Sequence, residues 1–141
     1  MRYDPETVRP MRDELVRLGA EELDTSDDVD RALGAEGGTT LLVINSICGC
    51  AAANARPALA IATGHEVQPD RIVTVFAGQD TDATERAREY IDGFRPSSPS
   101  IALFQNGKHV FMLERHQIEG RDASDIAGDL REAYDRFCRM V

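Results

Sequence analysis

"TTLLVINSICGCAAANARPALAIATG", residues 39–64, decides how this chain is read. Its first part, 39–46, is a nearly unbroken β-branched and apolar run, the pattern of a strand buried on both faces inside a parallel sheet. From Ala51 to Thr63 alanine dominates and Gly64 follows, as in a helix with a glycine just past its C-terminus. Pro57 falls inside that helix and predicts a kink, because it lacks a backbone N–H and its ring crowds the preceding turn. Between strand and helix stand Cys48 and Cys50, one glycine apart. Such a pair can be a redox couple, two metal ligands or two small buried residues, and the flanking elements bear on which.

The whole chain has 141 residues, 42% apolar and 29% charged, which predicts one domain, 1–141, with a single sizeable core. No apolar run approaches the roughly 20 residues of a membrane span, and the N-terminus "MRYDPETVRPMRDELV" lacks the uninterrupted apolar stretch of a secretory signal. The expectation is a cytoplasmic protein with no membrane partner. The net charge of −9 is spread along the chain without a basic block, which argues against nucleic acid. Three cysteines in a reducing compartment point to chemistry rather than to disulfide staples.

Upstream, Asp4 before Pro5 reads as a helix cap, with Val8, Met11, Leu15 and Leu18 on one face until Gly19. Residues 20–24 read as an edge strand, and Thr25 or Ser26 as the cap of a helix carrying Val29, Ala32 and Leu33. Downstream, "RIVTVFAG", 71–78, is a second buried strand, followed by a helix through Ala83, Ala87, Tyr90, Ile91 and Phe94. A strand at 100–105, an Asn106-Gly107 turn and a strand from 108 to about 114 make an antiparallel hairpin. A helix capped near Asp122 closes the chain, with Ile126, Leu130, Tyr134, Phe137 and Val141 in one stripe. After the first helix the order is β-α-β-α-β-α-β-β-α, which resembles the thioredoxin fold: α/β, a mixed central sheet flanked by helices, here with an extra N-terminal helix. The cysteine pair sits where thioredoxins carry C-x-x-C, and "SSPSIALFQNG" resembles the segment in which a cis-proline opens the strand facing the site, a role that falls to Pro99.

Helix N-termini favour a thiolate through their free N–H groups and positive dipole end, which makes Cys48 the expected nucleophile. In a regular helix, residues two apart point about 200° away from each other, so Cys48 must precede the first turn if the thiols are to meet, and Gly49 permits a sharp approach. The small ring of a Cys48–Cys50 disulfide is expected to be weakly held. Cys50, further along and more covered, would resolve an intermediate on Cys48 or tune it. The metal reading has two thiolates from C-x-C, but zinc takes four ligands and no second pair exists; His116 and Cys138 would complete a site only if folding brought them there.

"VINSICGCAAANARPA" together with "GFRPSSPSIALFQNGKHVFMLERHQIEGR" resembles the bacilliredoxin family over essentially the full length. The resemblance implies a thiol–disulfide oxidoreductase that removes bacillithiol, a low-molecular-weight thiol, from protein mixed disulfides, with disulfide isomerase activity also attached to the family. It implies no bound cofactor, bacillithiol as co-substrate, bacillithiolated client proteins as partners, and a low-molecular-weight thiol or a reductase as electron source. The attacking cysteine carries over to Cys48, the second motif cysteine to Cys50, the cis-proline to Pro99 and a C-terminal cysteine to Cys138. Cys138 is read either as an inert, partly buried residue or as a third redox cysteine, paired with Cys48 or with another chain.

Substrate contacts are expected around the motif and the proline, at Gly49, Ser98 and Pro99. They extend to Arg115 and His116, which the returning hairpin arm should bring to the same sheet edge; Arg115 suits the carboxylates of an anionic thiol and His116 a proton. Arg56 and Arg95 are further anion-contact candidates, and His65 and His109 read as ordinary loop and hairpin residues. Monomer and homodimer both remain open. The competing class is a thioredoxin-fold binding module whose cysteines hold a metal or simply pack.

Overall fold

The computed structural model describes residues 3–34, 37–91 and 93–138. Among the described residues, five strands form one mixed sheet in the order β1-β3-β2-β4-β5: β1 Glu21–Glu22, β2 Thr39–Asn45, β3 Arg71–Phe76, β4 Ser100–Gln105 and β5 Lys108–Leu113. β1, β3 and β2 run parallel, β4 is antiparallel to β2, and β5 is antiparallel to β4. All seven residues of β2 are buried, because it is the middle strand and carries helices on both faces.

The alternation of side chains along the strands divides the core in two. Leu41, Val43, Ile101 and Leu103 face α3 (Arg56–Ala62) and α6 (Ala123–Phe137), meeting Ala58, Leu59, Ile126, Leu130 and Tyr134. Leu42, Ile44, Val73, Val75 and Phe104 face α2 (Ser26–Leu33) and α4 (Thr81–Glu89), meeting Val29, Leu33, Ala83 and Ala87. Each fully buried Leu, Ile or Val contributes roughly 1.5–3 kcal/mol, so the apolar patterning is what holds this sandwich together. Among the described residues, no helix is long and apolar enough to cross a membrane.

Local chemistry explains most boundaries. The Asp4 carboxylate accepts the Glu6 N–H at 2.9 Å, and Pro5 opens α1 (Pro5–Val16). Thr25 caps α2 in a capping box with Asp28. Asn106 and Gly107 both take positive φ, 53° and 81°, as a two-residue hairpin turn of mirror-image hand requires. The pairing then shifts: Phe104 faces His109 but Leu103 faces Phe111, so Val110 is an extra residue in β5.

Other expectations are corrected. The helix begun at Thr81 ends at Glu89 rather than running to Phe94; Tyr90 closes it, Gly93 turns at φ 82°, and Phe94 lies exposed with its ring edge-on to His109. β3 stops at Phe76, whose N–H donates to the Asp80 carboxylate at 3.0 Å and whose carbonyl accepts the Asp80 N–H at 2.8 Å, a turn that leads into α4. In place of a kink inside the helix at Pro57, a π-helical segment, Ala51–Ala55, comes first; its wide turn ends with the N–H of Arg56, the first residue of α3, bonded to the Ala51 carbonyl, and Pro57 falls in the first turn of α3. A short helix, α5 (Arg115–Ile118), follows the hairpin where only a strand end was expected. Val141 lies outside the described residues.

Candidate active site

Strand direction gathers the candidate residues. Cys48 and Cys50 follow the C-terminal end of β2; Ile44 pairs with Ser100, so Ser98 and Pro99 enter β4 beside that end. Leu113 pairs with Ile101, so β5 returns to the same edge and delivers Arg115. The Ser98–Pro99 peptide is cis.

The backbone leading to the cysteines is held from below. Ser46 Oγ accepts the Cys48 N–H at 3.1 Å, and Asn45 Oδ1 accepts the Ser46 N–H at 2.9 Å. Arg56 is 5% exposed and donates from Nη1 to Asn45 Oδ1 at 3.0 Å and to the Ser46 carbonyl at 3.1 Å, while its Nε pairs with Glu14 of α1. Asn45 Nδ2 in turn donates to the Met11 carbonyl at 3.2 Å. The N-terminal helix therefore braces the cysteine loop through a buried guanidinium. Arg56 is committed to this bracing, which corrects its reading as an anion contact; a cation that satisfies a buried carbonyl, an amide oxygen and a carboxylate is not offered to solvent.

The two thiols differ in their surroundings. Cys48 is partly exposed and Cys50 buried, with sulfurs 2.6 Å apart and both cysteines free. A hydrogen bond from the Cys50 thiol lowers the Cys48 pKa from the usual thiol range, helped by the Cys50 N–H at 3.4 Å and the positive charge of Arg115. Burial raises the Cys50 pKa, and the shared hydrogen bond and the charge on Cys48 push it the same way. The Ala51 N–H also donates to the Cys48 carbonyl at 3.0 Å, starting the helical turn behind the pair. Gly49 has no positive φ, and a Cβ there would have no heavy atom within 4 Å. Glycine is thus not demanded by backbone strain, a correction to the sharp-approach argument; its effect is to leave the space beside the thiols uncovered.

Across from the cysteines, Ser97 ties the segment before Pro99 in place. Its carbonyl accepts Ser100 Oγ–H at 3.0 Å and Arg88 Nη2 at 3.4 Å, and its hydroxyl accepts the Arg115 N–H at 3.4 Å. Arg115 Nη1 reaches the Ser98 carbonyl at 3.5 Å, and Nε pairs with Glu119 Oε2 at 2.8 Å. His116 is exposed; its Nε2 lies 3.8 Å from Glu114, and it lines a groove of about 960 Å³ along β5 with Phe94, His109 and Phe111. Arg95 is exposed on the segment leading to Pro99. Glu119 and Ser97 were not singled out in the sequence; the four-residue spacing of Arg115 and Glu119 is the signal that would have drawn Glu119 in.

The third cysteine is elsewhere. Cys138 is 7% exposed, closes α6 and hydrogen-bonds the Thr39 side chain, with its thiol pushed up by burial. Thr39 begins β2 and Cys48 follows its end; the seven residues of β2, at about 3.3 Å each, hold Cys138 and Cys48 roughly 20 Å apart. The two cannot pair while the sheet is intact. His65 pairs with Asp135 at 2.7 Å, and His109 packs between the rings of Phe94 and Phe104. Among the described residues, no group of three or more His, Cys, Asp or Glu side chains is arranged to hold a metal ion.

Known proteins share both the fold and the sequence. The family model described as disulphide isomerase matches residues 3–138. A bacilliredoxin of Salinibacter ruber (strain DSM 13855 / M31) is 58% identical over 142 residues, spanning 98% of this chain and 82% of that protein. A bacilliredoxin of Staphylococcus aureus (strain NCTC 8325 / PS 47) is 51% identical over 131 residues, spanning 93% and 90%. Among solved structures, the thioredoxin of Malassezia sympodialis superposes with a TM-score of 0.58 at 15% identity, covering 85% of this chain and 91% of that one. The thioredoxin of Fasciola hepatica gives 0.57 at 19% identity, covering 83% and 98%. The fold is that of thioredoxin.

Proposed function

The chain belongs to the disulphide isomerase family as a thiol–disulfide oxidoreductase of the bacilliredoxin type, and from that premise we propose that it removes bacillithiol from protein mixed disulfides through Cys48 and Cys50. The observation that carries the reading is the asymmetry of the pair: a partly exposed thiol with a depressed pKa backed by a buried thiol with a raised one. The depressed pKa supplies thiolate for attack, and the raised one keeps the second sulfur protonated until the first has reacted.

The Cys48 thiolate attacks the bacillithiol sulfur of the mixed disulfide. A Cys48–bacillithiol disulfide forms as the client S–S bond breaks, and the client thiolate leaves and takes up a proton. Two routes then restore the enzyme. Cys50, once deprotonated, attacks the Cys48 sulfur and releases bacillithiol, leaving a Cys48–Cys50 disulfide for a reductase. Alternatively, a second bacillithiol thiolate attacks the bound bacillithiol sulfur, releasing Cys48 and forming bacillithiol disulfide. Arg115 offers its charge to the carboxylates of the low-molecular-weight thiol, which directs that half of the substrate toward Cys48. Ser98 and Pro99 line the client side and Gly49 keeps the approach open, while His116 lines the groove along β5. The same pair supports isomerisation when the client carries its own misplaced disulfide. The setting is cytoplasmic, with bacillithiolated proteins as clients.

Mass spectrometry after exposure to bacillithiol disulfide tests the reading. An adduct confined to Cys48, with transfer from a bacillithiolated client lost in C48S, supports it; an adduct on Cys138, or full transfer by C48S, overturns it.

A further inference from the structure

Arg115 is engaged with one anion while its charge acts on two more groups that become anions. Its Nε is bound to Glu119 Oε2 at 2.8 Å, its Nη1 rests against the Ser98 carbonyl at 3.5 Å, and its charge acts on the sulfurs of both Cys48 and Cys50. Arg115 opens α5 and Glu119 closes it, so the pair spans one turn and lies in the open: the side chains are 47% and 58% exposed. A pair this exposed is weakly held and exchanges readily with another carboxylate. Burial and Cys48 do most to hold the Cys50 proton, and the negative charge of Glu119 adds to them.

We infer that Glu119 is a specificity-determining residue, which holds Arg115 between turnovers and yields it to a carboxylate carried on the thiol part of the incoming disulfide. The inference rests on the assignment of Arg115 to an anionic low-molecular-weight thiol. A neutral disulfide has nothing to put in Glu119's place, so the pair stays closed beside the cysteines. A carboxylate-bearing disulfide replaces one anion by another, keeps the guanidinium paired, and releases Glu119 to water. A cationic disulfide is drawn to Glu119 and repelled by Arg115. Thiols bearing carboxylates are the class selected, and the resident carboxylate sets how strongly. Glu119 sets which disulfide binds; the sulfur that Cys48 attacks, the bond that breaks and the destination of the electron pair are unchanged.

The test uses one cysteine-containing peptide prepared as mixed disulfides with mercaptosuccinate, 2-mercaptoethanol and cysteamine. Peptide-thiol release is followed for the full chain as wild type, E119Q, E119D and R115Q, with kcat and KM separated. E119Q should lower KM for the mercaptosuccinyl peptide by about 1.5- to 5-fold at low salt, the span of an exposed ion pair. It should leave KM for the hydroxyethyl peptide unchanged and raise it for the cysteamine peptide, while E119D keeps the wild-type order. The same change on all three substrates, or no change on any, overturns the inference. R115Q separates the two layers. If R115Q retains the wild-type preference for mercaptosuccinyl over hydroxyethyl, the assignment of Arg115 falls and this inference with it. If R115Q loses that preference while E119Q keeps wild-type KM values, only the role of Glu119 falls.

Discussion

The sulfur of Cys48 lies 2.6 Å from that of Cys50, yet one thiol is lowered and the other raised by the same contact. The hydrogen bond can be donated in one direction only once Cys48 is ionised, so it stabilises charge on the outer sulfur and a proton on the inner one. Burial of Cys50 decides which sulfur takes which part.

Alkylation should therefore separate the two cysteines. With iodoacetamide, the Cys48 rate should level off at a pH below the ordinary thiol value of about 8.5, whereas Cys50 should react only at higher pH. C50A removes the donated hydrogen bond and should move the Cys48 profile to higher pH. Indistinguishable profiles for the two cysteines in peptide-resolved mass spectra would contradict this assignment.

Turnover should respond differently to loss of each sulfur. C48S should abolish release of thiol from a mixed-disulfide client, because a serine hydroxyl at its ordinary pKa does not replace a thiolate. C50S should still attack but accumulate as the Cys48 mixed disulfide, and added low-molecular-weight thiol should restore cycling. Continued cycling of C50S without any added thiol would remove Cys50 from the release step.

Arg56 should matter to stability as well as to the site. R56M leaves Asn45 Oδ1 and the buried Ser46 carbonyl without their charged donor and frees Glu14. Hydrogen bonds to charged groups are worth about 1.5–3 kcal/mol each, so urea unfolding should show a loss of about 2–4 kcal/mol. R56K should recover part of it. A midpoint equal to wild type would show that the N-terminal helix does not brace the loop through this residue.

Oxidation of the folded protein should link Cys48 to Cys50 and leave Cys138 a free thiol. Peptide mapping under mild oxidant should find no Cys48–Cys138 bridge, and Cys138 should become reactive only as denaturant opens the core around Thr39. A Cys48–Cys138 bridge formed without denaturant would mean that α6 leaves the sheet in the native state.

Elements that local periodicity and capping control were legible in the amino-acid order alone. The run at 39–46 has the pattern of a doubly covered strand, Asp4-Pro5 and Thr25 or Ser26 mark helix starts, and Asn106-Gly107 supplies the two left-handed residues of the hairpin. The C-G-C pair at a strand-to-helix junction was legible for the same reason: both the junction and the motif are local. Tertiary structure alone decided what stands around that pair. Sheet order brought Ser97, Pro99, Arg115 and Glu119 to the end of β2 from more than 45 residues away along the chain, and periodicity carries no information about such distances. Arg56 looked like a free cation because its partners belong to other elements, Glu14 on α1 and Asn45 and Ser46 at the end of β2. Gly49 read as permitting a sharp approach of the two cysteines, but it is not among the glycines with positive φ. The helix ending at Glu89 and the bulge at Val110 were likewise out of reach, since each depends on what packs alongside rather than on the residues themselves. The length of β2 separates Cys138 from Cys48, a relation fixed by which end of one strand each cysteine meets, and no pattern within either segment encodes it.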